Sequence, residues 1–162
     1  MRQVLFVCTG NIFRSLTAEY ALRAALGARR DIVVASAGTE DFPYVVRPLV
    51  REYLLARGLD VSSHRRRALT VEMLREATVV IAMSTEHRAA LAQTFDRPDV
   101  PLFTEACGIA GEALPDVEEA VADYRTNPAA VEAHVRATID RIIELTPRLA
   151  SRLLDQTAAF RR

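Results

Sequence analysis

Short apolar runs rich in valine and isoleucine alternate along the chain with longer segments whose apolar residues recur at helical spacing. This alternation is typical of a layered α/β domain with a mainly parallel sheet. The apolar runs predict four strands, at residues 3–7, 32–36, 78–82 and 100–103. Because strand–helix–strand crossovers are right-handed, helices should cover both faces of this short, twisted sheet.

The helical segments are marked by their termini as well as by their period. Predicted helices cover residues 15–26, 48–57, 70–76 and 84–95. A last helix is the clearest, since Asn127 can cap it and Pro128 suits its first turn. Its apolar stripe runs to Leu145, after which Pro147 should break or kink the helix and the tail should fold back. The pattern therefore predicts one domain over residues 1–162, a three-layer flavodoxin-like α/β fold with a short, mainly parallel four-stranded sheet.

Composition narrows the class of protein. The chain has 162 residues, a formal net charge of zero and 50% hydrophobic residues, as an ordinary soluble globule does. We expect no nucleic-acid partner, because there is no excess of positive charge. We also expect no membrane span, since no apolar run approaches the ~18 residues that one requires. Met1 and Arg2 lead into a short run unlike a signal sequence, so we expect a cytoplasmic location.

Scarce residue types exclude several kinds of site. All 21 basic residues are arginines, which excludes Schiff-base chemistry, Ser–Lys catalysis and nucleotide sites built on a phosphate-binding lysine. Cys8 and Cys107 are the only cysteines, too few for a disulfide framework or a cysteine-rich zinc site. We therefore expect neither a metal nor a cofactor.

The segment with the clearest chemistry joins the first predicted strand to the first predicted helix. Cys8 follows the strand, Arg14 and Ser15 open the helix, and the residues between them are Thr9, Gly10, Asn11, Ile12 and Phe13. Ligands gather beyond the C-terminal ends of parallel strands, and a helix N-terminus offers unpaired N–H groups to an anion. Gly10 and Asn11 tolerate the left-handed backbone that turns N–H groups inward, and Arg14 can grip two anion oxygens. The loop therefore predicts a phosphate site.

The same segment supplies a nucleophile. The positive field of the loop favours the thiolate of Cys8, which the Ser15 hydroxyl can stabilise. The alternative interpretation treats Cys8 as a small buried hydrophobic residue and Arg14 as a solvated helix residue. A glycine at the third place and a serine after the arginine make a chance match uncommon, so we favour the phosphate site.

Residues 7–15 resemble the phosphate-binding loop of the low-molecular-weight protein tyrosine phosphatases. The resemblance covers most of the chain and includes Ser36-Ala37-Gly38-Thr39, the His64-Arg65 pair before Leu69-Thr70, and Met83. It implies Cys8 as the nucleophile and Arg14 as the phosphate clamp. Asn11 and Ser15 would support the loop, and Phe42 would wall the substrate ring. The resemblance further implies that substrate-binding positions include Thr9, Gly10, Ile12, Phe13 and Tyr124.

The chain departs from the family's usual pattern at two places. The family commonly has a second cysteine in the loop and a proline after the Arg-Ser pair, where this chain has Phe13 and Leu16. A protective disulfide within the loop is therefore impossible. The family's general acid is an aspartate before a proline and an aromatic residue, and the chain has no Asp-Pro dipeptide.

Two aspartates are candidates for the general acid. We prefer Asp123, because Tyr124 follows it and it lies just before the Asn127 cap of the last helix. Asp116, preceded by Pro115, is the second candidate. Either aspartate could instead cap a turn or face water.

The resemblance implies a two-step displacement with a phosphocysteine intermediate. The substrate would be a phosphotyrosine-containing protein or a small aryl phosphate, and inorganic phosphate would be the product. Two alternatives stay open: a thiol-dependent arsenate reductase and a non-catalytic phosphate-binding module. The arsenate reductase is disfavoured because its chemistry needs further cysteines that relay a disulfide, and residues 82–91 contain none. The binding module stays open because the chain lacks the Asp-Pro dipeptide of the family's general acid.

Several other polar residues receive structural interpretations. We expect residues 65–67, three consecutive arginines, to form a solvated surface rather than a positive collar for phosphorylated partners. His64 is expected to anchor a loop, and His87 and His134 are expected at surface or boundary positions. Cys107 is expected to be inert rather than a resolving thiol.

Overall fold

A parallel sheet lies at the centre of the computed structural model, which describes residues 1–159, with side chains as far as residue 155. Within these residues the sheet has three strands, β1 (Arg2–Cys8), β2 (Ile32–Gly38) and β3 (Val79–Ala82), in the order β2-β1-β3. The central strand, β1, is buried from Val4 onward because both faces of the sheet are covered. The parallel order brings the C-terminal ends of the strands to one edge of the sheet.

Helices cover both faces, as the sequence pattern predicts. Their bounds are α1 (Arg14–Leu26), α2 (Pro48–Ala56), α3 (Val71–Glu76), α4 (Thr85–Phe95), α5 (Phe103–Ala106), α6 (Val117–Ala120) and α7 (Pro128–Ala159). On one face, α1, α5 and α7 pack against Val4 and Phe6 of β1. On the other face, α3 and α4 pack against Leu5 and Val7. The α2 helix packs outside α1 and α7, in a separate apolar cluster. The result is the predicted three-layer α/β fold.

The predicted fourth strand is wrong. Residues 100–103 contribute only an isolated bridge between Leu102 and Ala82, and α5 begins at Phe103. Pro101 lacks an N–H and cannot donate to a sheet ladder. Glu105 accepts a hydrogen bond from the Leu102 N–H at 2.9 Å, which favours the start of a helix there.

The predicted break at Pro147 is also wrong, because α7 continues to Ala159 and does not fold back. Pro147 faces solvent, whereas Leu145, Leu149 and Leu153 are buried in the core beneath the sheet. A proline inside a helix costs about 3 kcal/mol, and each buried leucine contributes about 2 kcal/mol. Packing of the leucine stripe therefore outweighs the proline. The tail residues 160–162 lie outside the described residues.

None of the helices in the described part of the chain is both long enough and apolar enough to cross a membrane.

Candidate active site

The loop that follows β1 wraps around the thiol of Cys8. Cys8 is buried, and its Sγ lies 2.9 Å from the Ser15 Oγ in the first turn of α1. Asn11 adopts the left-handed conformation with φ of 57°, as predicted from its residue type. Gly10 does not adopt a positive φ. A Cβ at Gly10 would instead lie 3.1 Å from Cδ2 of Tyr44, so glycine is favoured there by close packing.

Hydrogen bonds of Asn11 orient the Ser15 hydroxyl. The Asn11 amide donates to the Ser15 Oγ at 3.0 Å and to the Ser36 Oγ at 2.7 Å, and its Oδ1 accepts from the Arg67 N–H at 2.9 Å. Because the Ser15 oxygen accepts one of these hydrogens, its own hydroxyl hydrogen is free to point at the Cys8 sulfur. The arrangement places a hydrogen-bond donor beside the Cys8 sulfur.

Glu19 completes this network and was missed in the sequence. Its carboxylate is buried, accepts a hydrogen bond from Ser36 and pairs with Arg23 and, at 3.6 Å, with Arg67. Since an ionised carboxylate only accepts hydrogen bonds, Ser36 must donate to Glu19 and accept from Asn11. The four-residue spacing of Ser15, Glu19 and Arg23 on one helix face is the signal that could have found it.

Residues 64–67 support the loop from outside. His64 Nε2 lies 3.0 Å from the Asn11 carbonyl oxygen, so His64 anchors the loop as predicted. Burial lowers the pKa of His64. Arg66 donates to the carbonyl oxygens of Gly10 at 3.2 Å and Glu40 at 2.6 Å. Arg66 is therefore part of the loop's support, whereas we expected the whole arginine run to be solvated.

His87 also contacts the loop, and the prediction of a surface or boundary position for it is wrong. Its side chain is buried, with Nε2 2.9 Å from the Thr9 Oγ1 and Nδ1 3.0 Å from the Ser84 Oγ. Burial, together with the charge of Arg14, lowers the pKa of His87 to about 3. The imidazole is therefore neutral at physiological pH. The spacing of Ser84 and His87 across the first turn of a helix was the available signal.

Arg14 joins the loop to a distant segment of the chain. Its side chain is only 2% exposed, and its guanidinium donates to the Leu114 carbonyl at 3.0 Å and to the Asp116 Oδ2 at 2.8 Å. Asp116 caps α6, since its Oδ1 accepts from the Val117 N–H at 2.7 Å. The fold thus places Asp116 directly beside the candidate phosphate clamp.

Asp123 lies elsewhere. It is exposed, and its Oδ2 accepts a hydrogen bond from the Asn127 side chain at 2.9 Å. Its neighbour Tyr124 lines the cavity above the loop, but Asp123 does not. The geometry therefore favours Asp116 over Asp123 as a group able to reach a bound ligand.

A cavity of about 540 Å³ opens above Cys8 and Arg14. This volume is in the range of small-molecule sites. Its walls include Thr9, Gly10, Ile12, Phe13, Tyr44, Val117 and Tyr124. Phe42 does not line it: the Phe42 side chain is 57% exposed, and its ring packs on Tyr44 with centroids 4.7 Å apart. Tyr44, two residues further on, lines the cavity where we expected Phe42.

Comparison with known proteins identifies the family. The sequence model described as low molecular weight phosphotyrosine protein phosphatase matches residues 3–159. The chain belongs to this family. The low molecular weight protein-tyrosine-phosphatase Etp of Escherichia coli K12 is 31% identical over 141 residues, which cover 85% of this chain and 87% of Etp. The resemblance inferred from residues 7–15 is therefore confirmed.

Other relatives show how this phosphatase family varies. The probable low molecular weight protein-tyrosine-phosphatase EpsP of Ralstonia solanacearum is 34% identical over 84 residues, which cover 51% of this chain and only 56% of EpsP. A solved structure of the YwlE arginine phosphatase, a cysteine-to-serine mutant with a phosphorylated active-site serine, matches with a TM-score of 0.78. It is 25% identical, and the match covers 93% of this chain and 95% of YwlE. The predicted fold and enzyme class, a cysteine-dependent phosphatase, are confirmed.

The mouth of the phosphatase cavity is rich in carboxylates. Besides Asp116, the side chains of Glu40, Glu86, Glu118 and Glu119 line it, together with the guanidinium of Arg47. A hydrogen bond with Glu119, reinforced by burial and by the charge of Glu119, raises the pKa of Glu86. The wall formed by α4 and α6 is therefore rich in carboxyl groups above the loop that contains Cys8.

Cys107, the second cysteine, lies away from the loop that contains Cys8. Cys107 is buried behind the sheet, and burial raises its pKa to about 11. The thiol therefore stays protonated at physiological pH, which supports the expectation that it is inert. In the described part of the chain, no group of three or more His, Cys, Asp or Glu residues is placed to hold a metal ion.

Proposed function

We propose that the protein hydrolyses phosphotyrosine monoesters through a phosphocysteine formed on Cys8. The observation that carries this proposal is the contact of 2.9 Å between the Cys8 sulfur and the Ser15 hydroxyl at the base of a cavity that Arg14 also lines. A hydroxyl donor stabilises a thiolate, and a buried guanidinium binds a phosphoryl group.

The first step is attack of the Cys8 thiolate on phosphorus. A sulfur–phosphorus bond forms as the bond between phosphorus and the tyrosine oxygen breaks. Arg14 and the backbone N–H groups of the loop stabilise the equatorial oxygens. Because Arg14 already holds Asp116 at 2.8 Å, a bound phosphoryl group takes over guanidinium hydrogens next to this carboxyl.

Asp116 then serves as the general acid and base. Once the phosphoryl group has taken over the guanidinium hydrogens, the carboxyl binds a proton from solvent and gives it to the departing phenolic oxygen, which leaves as tyrosine. The carboxylate next accepts a proton from a water molecule that attacks phosphorus. The sulfur–phosphorus bond breaks, and inorganic phosphate leaves with the thiolate restored.

The walls of the cavity suit an aromatic leaving group. Tyr44 and Tyr124 provide aromatic faces, and Ile12, Phe13 and Val117 add apolar surface. Aromatic rings pack against such surfaces in offset or edge-to-face arrangements. A phosphotyrosine ring between them would stand above Cys8.

The acidic mouth favours a second candidate substrate, phosphoarginine. A phosphorylated guanidinium carries positive charge beside the phosphoryl group, which Glu86, Glu118 and Glu119 would attract. The similarity to the YwlE arginine phosphatase supports this candidate.

Turnover assays test the proposed function. p-Nitrophenyl phosphate, a phosphotyrosine peptide and a phosphoarginine peptide are assayed with chelator for the wild type, Cys8→Ala and, as the matched control, Cys107→Ala. We expect hydrolysis of both aryl phosphates by the wild type and Cys107→Ala, and none by Cys8→Ala. Turnover of phosphoarginine alone would replace the first candidate by the second. A folded wild type that binds phosphate and turns over none of them would overturn both, leaving the binding module and arsenate reduction.

A further inference from the structure

A second cavity adjoins the one above Cys8 and carries the opposite charge. It has a volume of about 310 Å³ and is lined by Arg51, Arg65 and Arg66. Resting on the proposed function, we infer that this cavity binds an anionic side chain of the substrate, close in sequence to the phosphorylated residue. The ligand is a carboxylate or a second phosphoryl group carried on an apolar stem.

The two cavities share a wall. Ile12 and Tyr44 line both of them, so the cavities adjoin at these two residues. Tyr44 is fixed in place by packing on Gly10 and by a hydrogen bond of 2.6 Å from its hydroxyl to the Glu40 carboxylate. A peptide whose phosphorylated residue enters the first cavity therefore passes its neighbouring residues over the second.

Two of the three guanidiniums are available to pair with an incoming anion. In the region that the structure describes, Arg51 and Arg65 form no ion pair. Arg51 donates to the Val46 carbonyl at 3.4 Å, and Arg65 donates to the His64 carbonyl at 3.1 Å. Arg66 already donates a hydrogen bond to the Gly10 carbonyl of the loop and forms an ion pair with Asp41 at 3.5 Å. Arg51 and Arg65 are therefore the anchors for an incoming anion.

The rest of the lining fits the stem of an anionic side chain. Val45, Val46 and Val61 supply apolar surface, and Ser62 and His64 add uncharged polar groups. Burial lowers the pKa of His64, which keeps it neutral at physiological pH. Across the described residues, no carboxylate lines this second cavity. A free phosphate ion would use the guanidiniums but leave the apolar surface unfilled.

The contrast with the first cavity gives the second one a role in selectivity. The carboxylates of Glu86, Glu118 and Glu119 repel additional anions on the α4 and α6 side of Cys8. Anionic neighbours of a phosphotyrosine are attracted instead toward Arg51 and Arg65. The charge distribution thus orients an acidic substrate across Tyr44 in one direction.

Three phosphotyrosine peptides of one sequence test the inference. Their neighbouring positions carry glutamate, glutamine or a second phosphotyrosine, and the kcat/KM of each is divided by that for p-nitrophenyl phosphate with the same enzyme. The enzymes are the wild type, the double variant Arg51→Gln/Arg65→Gln, and the control Arg30→Gln. Arg30 is exposed, donates only to backbone carbonyls, and precedes β2 at the other end of the sheet.

We expect the wild type and Arg30→Gln to prefer an anionic peptide over the glutamine peptide by about fivefold, the scale of two exposed ion pairs. The double variant loses this preference, and added salt weakens it in the wild type.

A preference confined to the doubly phosphorylated peptide shows that the second cavity selects a phosphoryl group. An equal preference for the glutamate peptide shows that it accepts a carboxylate as well. Equal ratios for all peptides with the wild type, or an unchanged preference in the double variant, overturn the inference. Failure to hydrolyse even p-nitrophenyl phosphate would instead refute the proposed function.

Discussion

The guanidinium of Arg14 donates a hydrogen bond of 2.8 Å to the carboxylate of Asp116, which lies 102 positions later in the chain. This contact joins the candidate phosphate clamp to the candidate general acid. It depends on α6, whose N-terminus Asp116 caps, and on the Leu114 carbonyl, which accepts a second hydrogen bond from Arg14. The candidate acid is therefore held, in this structure, by the same side chain that we propose binds the phosphoryl group.

Replacement of Asp116 should slow the reaction most for poor leaving groups. We expect Asp116→Asn to lower kcat about 10² to 10³-fold with phenyl phosphate and much less with p-nitrophenyl phosphate, whose leaving group departs without a proton. Asp123→Asn, the matched control, should keep most of the activity with both, because Asp123 lies outside the cavity. Equal losses in the two variants, or a larger loss in Asp123→Asn, would contradict this assignment. Steady-state kinetics with the two substrates decide it.

Gly38→Ala should disturb the loop that follows β1. A Cβ at Gly38 would lie 2.5 Å from the Thr9 carbonyl oxygen, so the backbone must shift. We expect the free energy of unfolding to fall by about 1 to 3 kcal/mol, with a loss of activity. In the comparison variant, Gly10→Ala, the nearest atom is a Tyr44 side-chain atom 3.1 Å away rather than a backbone atom at 2.5 Å, so a smaller loss of stability is expected. Urea denaturation of both variants measures the difference, and a harmless Gly38→Ala would argue against the close approach.

Acidification should destabilise the fold through His87. Its pKa is lowered from 6.5 to about 3 in the folded state, because burial disfavours the charged imidazole. Between these pH values the unfolded chain binds the proton and the folded chain does not, so stability decreases as the pH falls. This residue alone should remove about 2 kcal/mol between pH 7 and pH 5.

The pH dependence of unfolding in His87→Gln provides the check. Urea denaturation at pH 7 and pH 5 should show a smaller loss in this variant than in the wild type. A residual loss is expected, since burial lowers the pKa of His64 in the same direction. A slope identical to that of the wild type would show that the buried, neutral state of His87 makes no contribution.

The acidic wall should discriminate between the two candidate substrates. Glu118→Gln removes a carboxylate from the α6 wall of the cavity, outside the hydrogen-bonded pair of Glu86 and Glu119. We expect kcat/KM to rise about threefold for the phosphotyrosine peptide and to fall for the phosphoarginine peptide. The control Glu76→Gln changes an exposed residue of α3, outside the cavity, and should alter neither value. A change of the same sign for both peptides would exclude charge recognition by this wall.

Local sequence was enough to predict the loop but not its distant partners. Cys8, Arg14 and Ser15 could be assigned together because a strand, a short loop and a helix N-terminus hold them within a few residues. Asp116 and Asp123 could not be separated in this way. The choice between them depends on which aspartate the packing of α6 and α7 brings next to Arg14. Local sequence does not determine this long-range packing.

The other differences also come from tertiary context. Tyr44 rather than Phe42 lines the cavity, where its ring packs against Gly10 and its hydroxyl donates to Glu40. The burial of His87 depends on its contact with Thr9, 78 positions away. Pro147 stays within α7 because the leucine stripe on both sides of it packs in the core, which local propensity does not include.

Direct detection of the phosphorylated enzyme tests the central claim most sharply. The wild type is mixed with a phosphotyrosine peptide, quenched in acid during turnover, and digested for mass spectrometry, with Cys107→Ala and Cys8→Ala treated in the same way. We predict a phosphoryl group on the peptide that contains Cys8 in the wild type and in Cys107→Ala, and neither label nor turnover in Cys8→Ala. Continued turnover by Cys8→Ala, or a phosphoryl group on any other residue during turnover, would contradict the account.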